Sequence, residues 1–179
     1  MTPPTTILVG RIGPVFWLRV EGRGTFQNSV QVKRVLQTVM ARGSRHLVVD
    51  LERCPMMDST FLGTLTFAAL HLREAGNGSL SVLNANQRNQ QLLVSLGLDH
   101  ILDIDKEGTA WAEERKAACA RLAMCDEKGA ASPREQAQHV LQSHQTLANV
   151  SDDNESRFRD VIQFLEKELE GTPSPASSS

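Results

Sequence analysis

Short apolar runs alternate with segments of helical periodicity over about the first 105 residues of the chain. Apolar runs bounded by turn residues predict strands, whereas apolar residues spaced i, i+3, i+4 and i+7 predict amphipathic helices. The predicted strands are 7–9, 15–20, 46–51, 80–83 and 101–104. The predicted helices are 28–43, 60–74 and 89–96. The order β-β-α-β-α-β-α-β favours an α/β fold in which helices pack against a mixed β-sheet.

The pattern changes near Asp105, and no further strand is predicted beyond it. An Ala-rich, weakly amphipathic segment covers residues 111–124. Ser132 then begins a predicted helix as its N-cap, with Pro133 at the first helical position and Glu135 completing a capping box. The apolar face of this helix is predicted to hold Val140, Leu141, His144, Leu147 and Ala148.

The last predicted helix has the clearest periodicity in the chain. Asp152 and Glu155 form its capping pair, and its apolar stripe comprises Phe158, Val161, Ile162, Leu165 and Leu169. The Ser- and Pro-rich residues 172–179 are predicted to be disordered. We therefore expect a domain over residues 5–105, a helical extension over 106–171 and a disordered tail. The extension is expected to fold back on the domain, with dimerisation or docking of these helices into a partner's groove as the alternative.

The charge balance changes at the same place. Residues 1–104 contain 10 Lys and Arg against 7 Asp and Glu, whereas residues 105–179 contain 9 against 14. A net charge of −2 and only 4% aromatic residues argue against nucleic-acid binding. The sequence has no apolar run of about 18 residues for a membrane span and no secretory signal pattern. Its three cysteines include no CxxC pair, which predicts a cytoplasmic protein with reduced thiols.

The common catalytic templates are missing from the sequence. It contains no GxGxxG, GxxxxGK[ST], HExxH or GxSxG string. His139 and His144 are five residues apart, which misses the i, i+4 spacing that places two imidazoles over one metal ion on a helix. Asp50 and Glu52 flank a strand end and are expected to be solvated or capping groups. We therefore expect neither an enzyme nor a metal or cofactor site.

The segment after the 46–51 strand is the best candidate site. Asp58 or Ser59 is predicted to be the N-cap of the next helix, where a side-chain oxygen accepts from backbone N–H groups. The N–H groups and the helix dipole at such a position favour a phosphate, and a serine hydroxyl there can carry one. Taken alone, the pattern is typical of an ordinary helix cap.

In its order of motifs, the region 5–105 resembles the STAS domain of bacterial anti-sigma factor antagonists. That family has an Asp-Ser-Ser/Thr-Gly-Leu-Gly string after its central strand, and residues 58–63 read Asp-Ser-Thr-Phe-Leu-Gly. Val49-Asp50-Leu51 precedes the string, as in the family. The turn at 75–80 and the segment at 92–101, with its Leu-Gly-Leu, match in the same order. The resemblance implies the STAS fold for this region.

The resemblance also implies a site and a partner. In the family, a serine kinase that is itself the anti-sigma factor phosphorylates the Ser that follows the Asp, which is Ser59 here. The chain is thus expected to bind such a kinase only while Ser59 is unphosphorylated. The implied partner-binding residues are Asp58, Ser59, Thr60, Phe61 and Thr64. Phe61 replaces the family's usual Gly and is expected to be exposed beside Ser59, forming a contact surface with Met57 and Thr64.

Two alternatives to this function remain. One is a non-switching STAS scaffold or a ligand-binding module of a lipid-transport or stress-sensing assembly, in which Ser59 is only a helix cap. The other is a hydrolase with Ser59 as its nucleophile. The hydrolase is disfavoured because the sequence places no histidine to activate the hydroxyl and no Gly-x-Ser-x-Gly elbow around it.

Overall fold

Residues 3–126 and 130–171 are described by the structure, a computed structural model. The strands are β1 (Thr6–Ile12), β2 (Val15–Glu21), β3 (His46–Arg53), β4 (Ser79–Leu83), β5 (Asp103–Ile104) and β6 (Ala123–Met124). The helices are α1 (Phe26–Ala41), α2 (Ser59–Glu74), α3 (Gln87–Ser95), α4 (Ala112–Arg121), α5 (Pro133–Ala148) and α6 (Asp152–Gly171). The tail predicted to be disordered, 172–179, lies outside the described residues.

All six strands belong to one mixed sheet, in the order β5-β4-β3-β2-β1-β6. β1 and β2 form an antiparallel hairpin whose turn contains Gly13 at a φ of 58°, a left-handed conformation that glycine adopts without steric cost. β2, β3, β4 and β5 are parallel neighbours, and the connections between them contain α1, α2 and α3. The predicted α/β class, with helices packed against a mixed sheet, is confirmed.

Different helices cover the two faces of the sheet. Successive residues of a strand point to opposite faces, so Leu18 and Trp17 of β2 belong to separate clusters. Leu18 lies in the main core, together with Leu36 of α1 and Leu65 of α2. Trp17 lies in a smaller cluster that Ala118 of α4 completes. The helical segment after β5 therefore begins by covering the second face of the sheet.

β6 shows that the expectation of no strand beyond Asp105 is wrong. Its two residues pair antiparallel with Leu8 and Val9 of β1, and Cys125 N donates to Ile7 O at 2.9 Å. Two residues are too few to have a periodicity of their own. This strand exists because the edge of β1 offers unpaired backbone groups to the chain that passes beside it.

Two helix starts also differ from the predictions. α1 begins at Phe26, with Thr25 as its N-cap, and Asn28 stands at the third helical position of a capping box. α6 begins directly after Ser151, whose hydroxyl accepts from the backbone N–H three residues later at 3.1 Å, so Asp152 is its first residue and not its cap. In both cases an earlier Ser or Thr forms the cap.

Asp50 is completely buried, so the expectation that it is a solvated or capping group is wrong. Its Oδ2 accepts from Trp17 Nε1 at 3.2 Å and from Arg19 Nε at 3.0 Å. Its Oδ1 accepts from Asn84 Nδ2 at 2.9 Å. Asn84 Oδ1 in turn accepts from Arg115 Nη1 of α4 at 2.7 Å. This network connects β2, β3 and the end of β4 to α4.

α5 and α6 form a helical hairpin, named the C-terminal hairpin below, which folds back on the rest of the chain as expected. Ser132 caps α5 as predicted, accepting from Glu135 N at 3.1 Å. Phe158 and Leu165 of α6 are buried, also as predicted. The buried residues of α5 are His139, Ser143, His144, Thr146, Leu147 and Ala148. This face is more polar than the predicted stripe because it meets α2. Self-association through these helices stays a prediction.

Candidate functional site

Asp58 joins the N-termini of α1 and α2. As the N-cap of α2, it accepts from Phe61 N through Oδ1 at 2.8 Å. Its Oδ2 accepts from Phe26 N, in the first residue of α1, at 2.8 Å. Its own N–H donates to Gly24 O at 2.9 Å. One carboxylate thus satisfies an unpaired N–H group at the start of each helix, and this fixes the position at which Ser59 begins α2.

Ser59 is the first residue of α2 and lies partly buried beneath α5. Its Oγ is 2.8 Å from Nε2 of His144. Nδ1 of the same ring is 2.7 Å from the carbonyl oxygen of Val140. Because a carbonyl only accepts, Nδ1 carries the proton of the neutral ring, and Nε2 accepts from the Ser59 hydroxyl. The predicted phosphate acceptor is therefore engaged in a hydrogen bond within the chain.

A second histidine of α5 contacts the next turn of α2. Nε2 of His139 is 3.0 Å from Thr64 Oγ1, whose one hydroxyl proton is donated to Thr60 O at 2.8 Å. Nε2 must then be the donor, which leaves Nδ1 of His139 as a buried acceptor without a partner. The pKa of His139 is lowered to about 4, because the ring is buried and Lys33 lies nearby, while Glu135 acts weakly in the opposite direction.

Gly63 allows α2 and α5 to touch backbone to backbone. A Cβ atom at this position would lie 2.3 Å from Ser143 O and 2.7 Å from its carbonyl carbon. Ser143 Oγ also lies 3.5 Å from Thr64 Oγ1. Only glycine fits here, so the last glycine of the 58–63 motif is a helix-packing residue in this chain.

Further polar contacts hold the C-terminal hairpin at both ends. At the start of α5, Arg34 Nη2 lies 2.6 Å from Glu135 Oε1, and this hydrogen bond lowers the pKa of Glu135. At the other end, the buried Asn154 of α6 donates through Nδ2 to Leu96 O at 2.9 Å and to Leu147 O at 3.0 Å. The hairpin is thus attached to α1 at one end and to the chain after α3 at the other.

Phe61 is fully buried, so the predicted exposed surface of Phe61, Met57 and Thr64 is wrong. The ring packs against Gly24, where a Cβ atom would lie 2.9 Å from Phe61 Cδ1. Met57 and Thr64 are each only 4% exposed. The replacement of the family's Gly by Phe is therefore a packing change in the core, and the missing side chain at residue 24 makes room for it.

The five predicted partner-binding residues fall into two groups. Asp58 and Ser59 lie at the start of α2 and keep partial solvent access. Thr60, Phe61 and Thr64 are buried. The predicted phosphate acceptor is thus at the expected helix start, but α5 covers the turn of α2 that follows it.

The residues that complete this site from α5 are His139, Ser143 and His144, and the sequence analysis missed their role. They are 75 to 85 residues away from their partners on α2. The one signal was the position of His144 on the predicted apolar face of its helix, where a buried ring must find a hydrogen-bond partner. Which partner it finds depends on how α5 docks, and no local pattern encodes that.

The sequence places no histidine to activate the Ser59 hydroxyl, but the fold brings His144 to 2.8 Å from it. A histidine acceptor at this distance is the first part of an activated nucleophile. In the Ser-His-Asp arrangement, however, a carboxylate orients the other ring nitrogen and the hydroxyl faces a substrate. Here Nδ1 bonds the backbone of its own helix, and the hydroxyl faces α5. The contact is better explained as a link between α2 and α5.

Residues 3–126 and 130–171 contain neither a metal-binding cluster nor a membrane-spanning helix. No group of three or more His, Cys, Asp and Glu side chains in these ranges is arranged to hold a metal ion. No helix there combines the length and the apolar character needed to cross a membrane. His139 and His144, whose five-residue spacing argues against a shared metal ion, contact Thr64 and Ser59.

A family model described as "Mlab, STAS domain" matches residues 13–103, just over half of the chain. The matched range runs from the β1–β2 turn into β5 and includes Asp58 and Ser59. The chain belongs to the STAS domain family. The match lies within the region 5–105 that the sequence predicts as a domain, although the exact division of the chain stays a prediction. No curated protein matches the chain.

Solved structures share the fold of this STAS domain. TM1081 of Thermotoga maritima, which has been assigned as an anti-sigma factor antagonist, aligns with a TM-score of 0.53 and 21% identity, covering 64% of this chain and 95% of that one. An anti-sigma factor antagonist from Mycobacterium paratuberculosis aligns with a TM-score of 0.52 and 18% identity, covering 65% and 97%. These similarities concern the fold. The aligned regions cover nearly all of each of the other proteins but only about two thirds of this STAS protein.

α4, β6 and the C-terminal hairpin follow residue 103 and lie outside the family match. The two histidines that contact Ser59 and Thr64 are therefore supplied by a part of the chain that is additional to the matched STAS region.

Proposed function

We propose that this STAS protein is a phosphorylation-regulated binding switch. Unphosphorylated, it binds a serine kinase of the anti-sigma factor kind, and phosphorylation of Ser59 ends that binding. The observation that carries the proposal is the position of Ser59 in the first turn of α2, directly after the Asp58 cap. The family relation and the fold shared with solved anti-sigma factor antagonists support the same function.

In the proposed reaction the kinase supplies the catalysis. The Ser59 hydroxyl attacks the γ-phosphorus of ATP, the bond from that phosphorus to the β,γ-bridging oxygen breaks, and ADP leaves. The hydroxyl proton passes to a base of the kinase. This chain is then a substrate and a binding protein and not an enzyme, with Asp58 and Thr60 flanking the acceptor.

Phosphate at this position should change binding more than the stability of the STAS sheet and of α2. It adds a charge of about −1.5 to −2 at neutral pH. The N-terminus of α2 favours that charge by about 0.3–1 kcal/mol, and the adjacent Asp58 offsets part of the gain. A partner packed over Ser59 would have to desolvate the phosphate, and a hundredfold loss of affinity needs only about 2.7 kcal/mol.

A second candidate function is favoured by the contact between Ser59 and His144. In this candidate the STAS domain is a non-switching scaffold or ligand-binding module, and Ser59 serves only to hold α5. It differs from the switch in one measurable way, because it requires no phosphate on Ser59.

Mass spectrometry of the chain isolated from its own host cells, with phosphatases inhibited, distinguishes the two candidates. We expect phosphate on Ser59 of the wild-type chain and none at that position in Ser59→Ala. Ser95→Ala is the matched control, since Ser95 is an exposed serine on α3, and it should leave Ser59 phosphorylation unchanged.

Pull-downs from the same cells test the binding half of the proposal. Ser59→Ala should retain a serine kinase that Ser59→Asp captures at least tenfold less. The switch is contradicted, and the scaffold favoured, if Ser59 carries no phosphate under any growth condition and both variants capture the same proteins equally.

A further inference from the structure

The C-terminal hairpin lies over the part of α2 that the proposed switch needs. α5 contacts Ser59 at the first turn of α2, and Gly63 and Thr64 one turn later. A kinase whose active site must enclose the Ser59 hydroxyl would therefore meet α5 first. The question is whether α5 is a permanent part of the fold or a segment that can be displaced.

The contact between α2 and α5 is more polar than the core beneath it. Its buried side chains include Thr64, His139, Ser143 and His144, and Nδ1 of His139 has no hydrogen-bond partner. A buried polar atom without a partner costs free energy that water repays when the contact opens. Polar interfaces within a chain are also the ones across which parts of a protein move. This contact is therefore less costly to open than the apolar core.

The start of α5 is held by contacts that solvent already reaches. The Arg34–Glu135 side chains are 28% and 43% exposed, and such partly exposed ion pairs contribute little to stability. Gln136 donates to Phe26 O at an exposed position. The opposite end, where Leu147 joins the core, is apolar. We therefore expect opening to begin at the Pro133 end of α5.

The STAS fold does not require the hairpin. The family match ends at residue 103, and the solved structures are covered to 95% and 97% by about two thirds of this chain. At Gly63, the three atoms nearest to an added Cβ atom all belong to Ser143 of α5. A side chain at this position would therefore block the contact with α5.

We propose that the face of α2 formed by Ser59, Gly63 and Thr64 is a helix-docking surface that the chain occupies with its own α5, and that a partner reaches Ser59 only by displacing the C-terminal hairpin. The partner that fits is a protein helix with a small residue opposite Gly63 and hydrogen-bonding groups opposite Ser59 and Thr64. Its use in signalling rests on the proposed function. The docking surface itself does not.

Phosphate on Ser59 and the closed hairpin exclude each other. Phosphorylation removes the hydroxyl proton that Ser59 donates to His144, and a phosphoryl group does not fit within a contact of 2.8 Å. The kinase therefore has to act on the open form. The hairpin sets how often Ser59 is available, and the partner's helix competes with α5 for the same surface.

The first test uses the full chain and a fluorescent peptide of residues 130–171 as the probe, so it needs no kinase. Ser143→Arg places a large charged side chain on α5 and should displace the hairpin while α2 stays native. This variant should bind the peptide at least tenfold more tightly than the wild-type chain, whose own α5 occupies the surface. Gly63→Leu should also displace the hairpin but should not bind the peptide, because α2 itself is blocked.

Gly171→Ala is the matched control, since a Cβ atom there meets nothing, and it should behave like the wild-type chain. Hydrogen exchange should show that Ser143→Arg loses protection in α5 and α6 but keeps it in β1 to β4. The proposal is overturned if β1 to β4 lose protection together with the hairpin. It is equally overturned if Ser143→Arg keeps its sheet but does not bind the peptide.

The second test closes the hairpin covalently. Thr64 Oγ1 and Ser143 Oγ are 3.5 Å apart, so the pair Thr64→Cys and Ser143→Cys can form a disulfide, with Cys119 and Cys125 replaced by serine. Host-cell extract with ATP should phosphorylate Ser59 at least tenfold more slowly in the oxidised than in the reduced form. Equal phosphorylation of both forms would show that the hairpin does not block access to Ser59, but it would not contradict the switch. If the wild-type chain is not phosphorylated at all, the switch is contradicted. The docking surface still stands in that case, provided that the peptide binds as expected.

Discussion

Phe61 occupies a position at which a motif comparison gives the wrong environment. The family's glycine suggests an exposed, tight segment beside the phosphate acceptor, whereas the ring of Phe61 points into the core and packs on Gly24. The residue that compensates lies on the chain before α1, so neither change can be interpreted without the other. The environment of a single motif residue can therefore be transferred from the family only where the residues that contact it are also the same.

This pairing predicts non-additive effects on stability. Phe61→Ala should lower the free energy of unfolding by about 3–5 kcal/mol through the cavity that it leaves. Gly24→Ala should cost about 1–3 kcal/mol, because the new Cβ displaces the ring. In the double variant the smaller side chain at 61 leaves room for that Cβ, so the double variant should lose less than the two single losses combined.

Urea unfolding of the two single variants and the double variant measures this coupling. Phe26→Ala, at a side chain that is 47% exposed, is the control and should change stability by about 0.5 kcal/mol or less. Strict additivity of the two core substitutions would show that the ring and Gly24 do not share space.

At the scale of elements, the docking of α5 on α2 decides the state of the candidate site. α5 presents two histidines to α2, one accepting from Ser59 and the other donating to Thr64. The His139 ring is buried in this contact and its Nδ1 has no partner, so a charge on that ring is disfavoured. The attachment of the hairpin should therefore depend on pH.

His139 makes that dependence calculable. Its pKa is about 4 in the closed form, against about 6.5 for an exposed histidine. Because the folded value is the lower one, the opened or unfolded chain takes up a proton first as the pH falls below 6.5. The stability that His139 contributes is fully present above about pH 6.5 and is lost progressively as the pH falls to about 4. Between pH 7 and pH 5 the expected loss from this group is about 2 kcal/mol.

Urea unfolding at pH 7 and pH 5 checks this expectation. His139→Gln keeps a hydrogen-bonding amide but does not titrate, so its stability should fall less with acid than that of the wild-type chain. His71→Gln, at an exposed position of α2, should follow the wild-type chain. Parallel curves for the wild-type chain and His139→Gln would show that His139 is not the sensitive group.

At the scale of the whole molecule, a buried carboxylate joins the STAS sheet to the part of the chain that follows it. Asp50 accepts from Trp17, Arg19 and Asn84, and Asn84 passes the connection to Arg115 of α4. α4 covers the second face of the sheet, while the C-terminal hairpin covers α2 on the first. The additional segment thus packs on the domain from both sides.

Removal of the Asp50 carboxylate should therefore lower the free energy of unfolding of the whole chain. Asp50→Ala leaves the largely buried Arg19 guanidinium with only a 3.9 Å contact to the exposed Glu52, which should cost about 3–5 kcal/mol of the free energy of unfolding. Glu52→Ala is the control for the same arginine, because Glu52 lies 3.9 Å from Arg19 Nη2 and its side chain is 60% exposed. Its loss should change stability by about 0.5 kcal/mol or less. Equal losses in the two variants, measured by urea unfolding, would contradict the role assigned to Asp50.

The order of the STAS elements, and a helix that starts within a residue of Ser59, follow from the sequence alone. Strands and helices can be predicted from the spacing of apolar residues only a few positions apart, and the Asp58 cap depends on equally local contacts. Local patterns also sufficed for the Ser132 cap of α5 and for the buried face of α6.

Which side chains face one another depends on how the elements dock. Asp50 is buried because its partners reach it from residues 31 to 34 positions away, and β6 exists because β1 has a free edge. Phe61 turns inward because Gly24 leaves it space. Ser59 lies beneath α5 because Gly63 allows the two backbones to touch, and His144, 85 positions away, then meets its hydroxyl. Contacts at such separations depend on how whole elements dock, which the periodicity within each element does not contain.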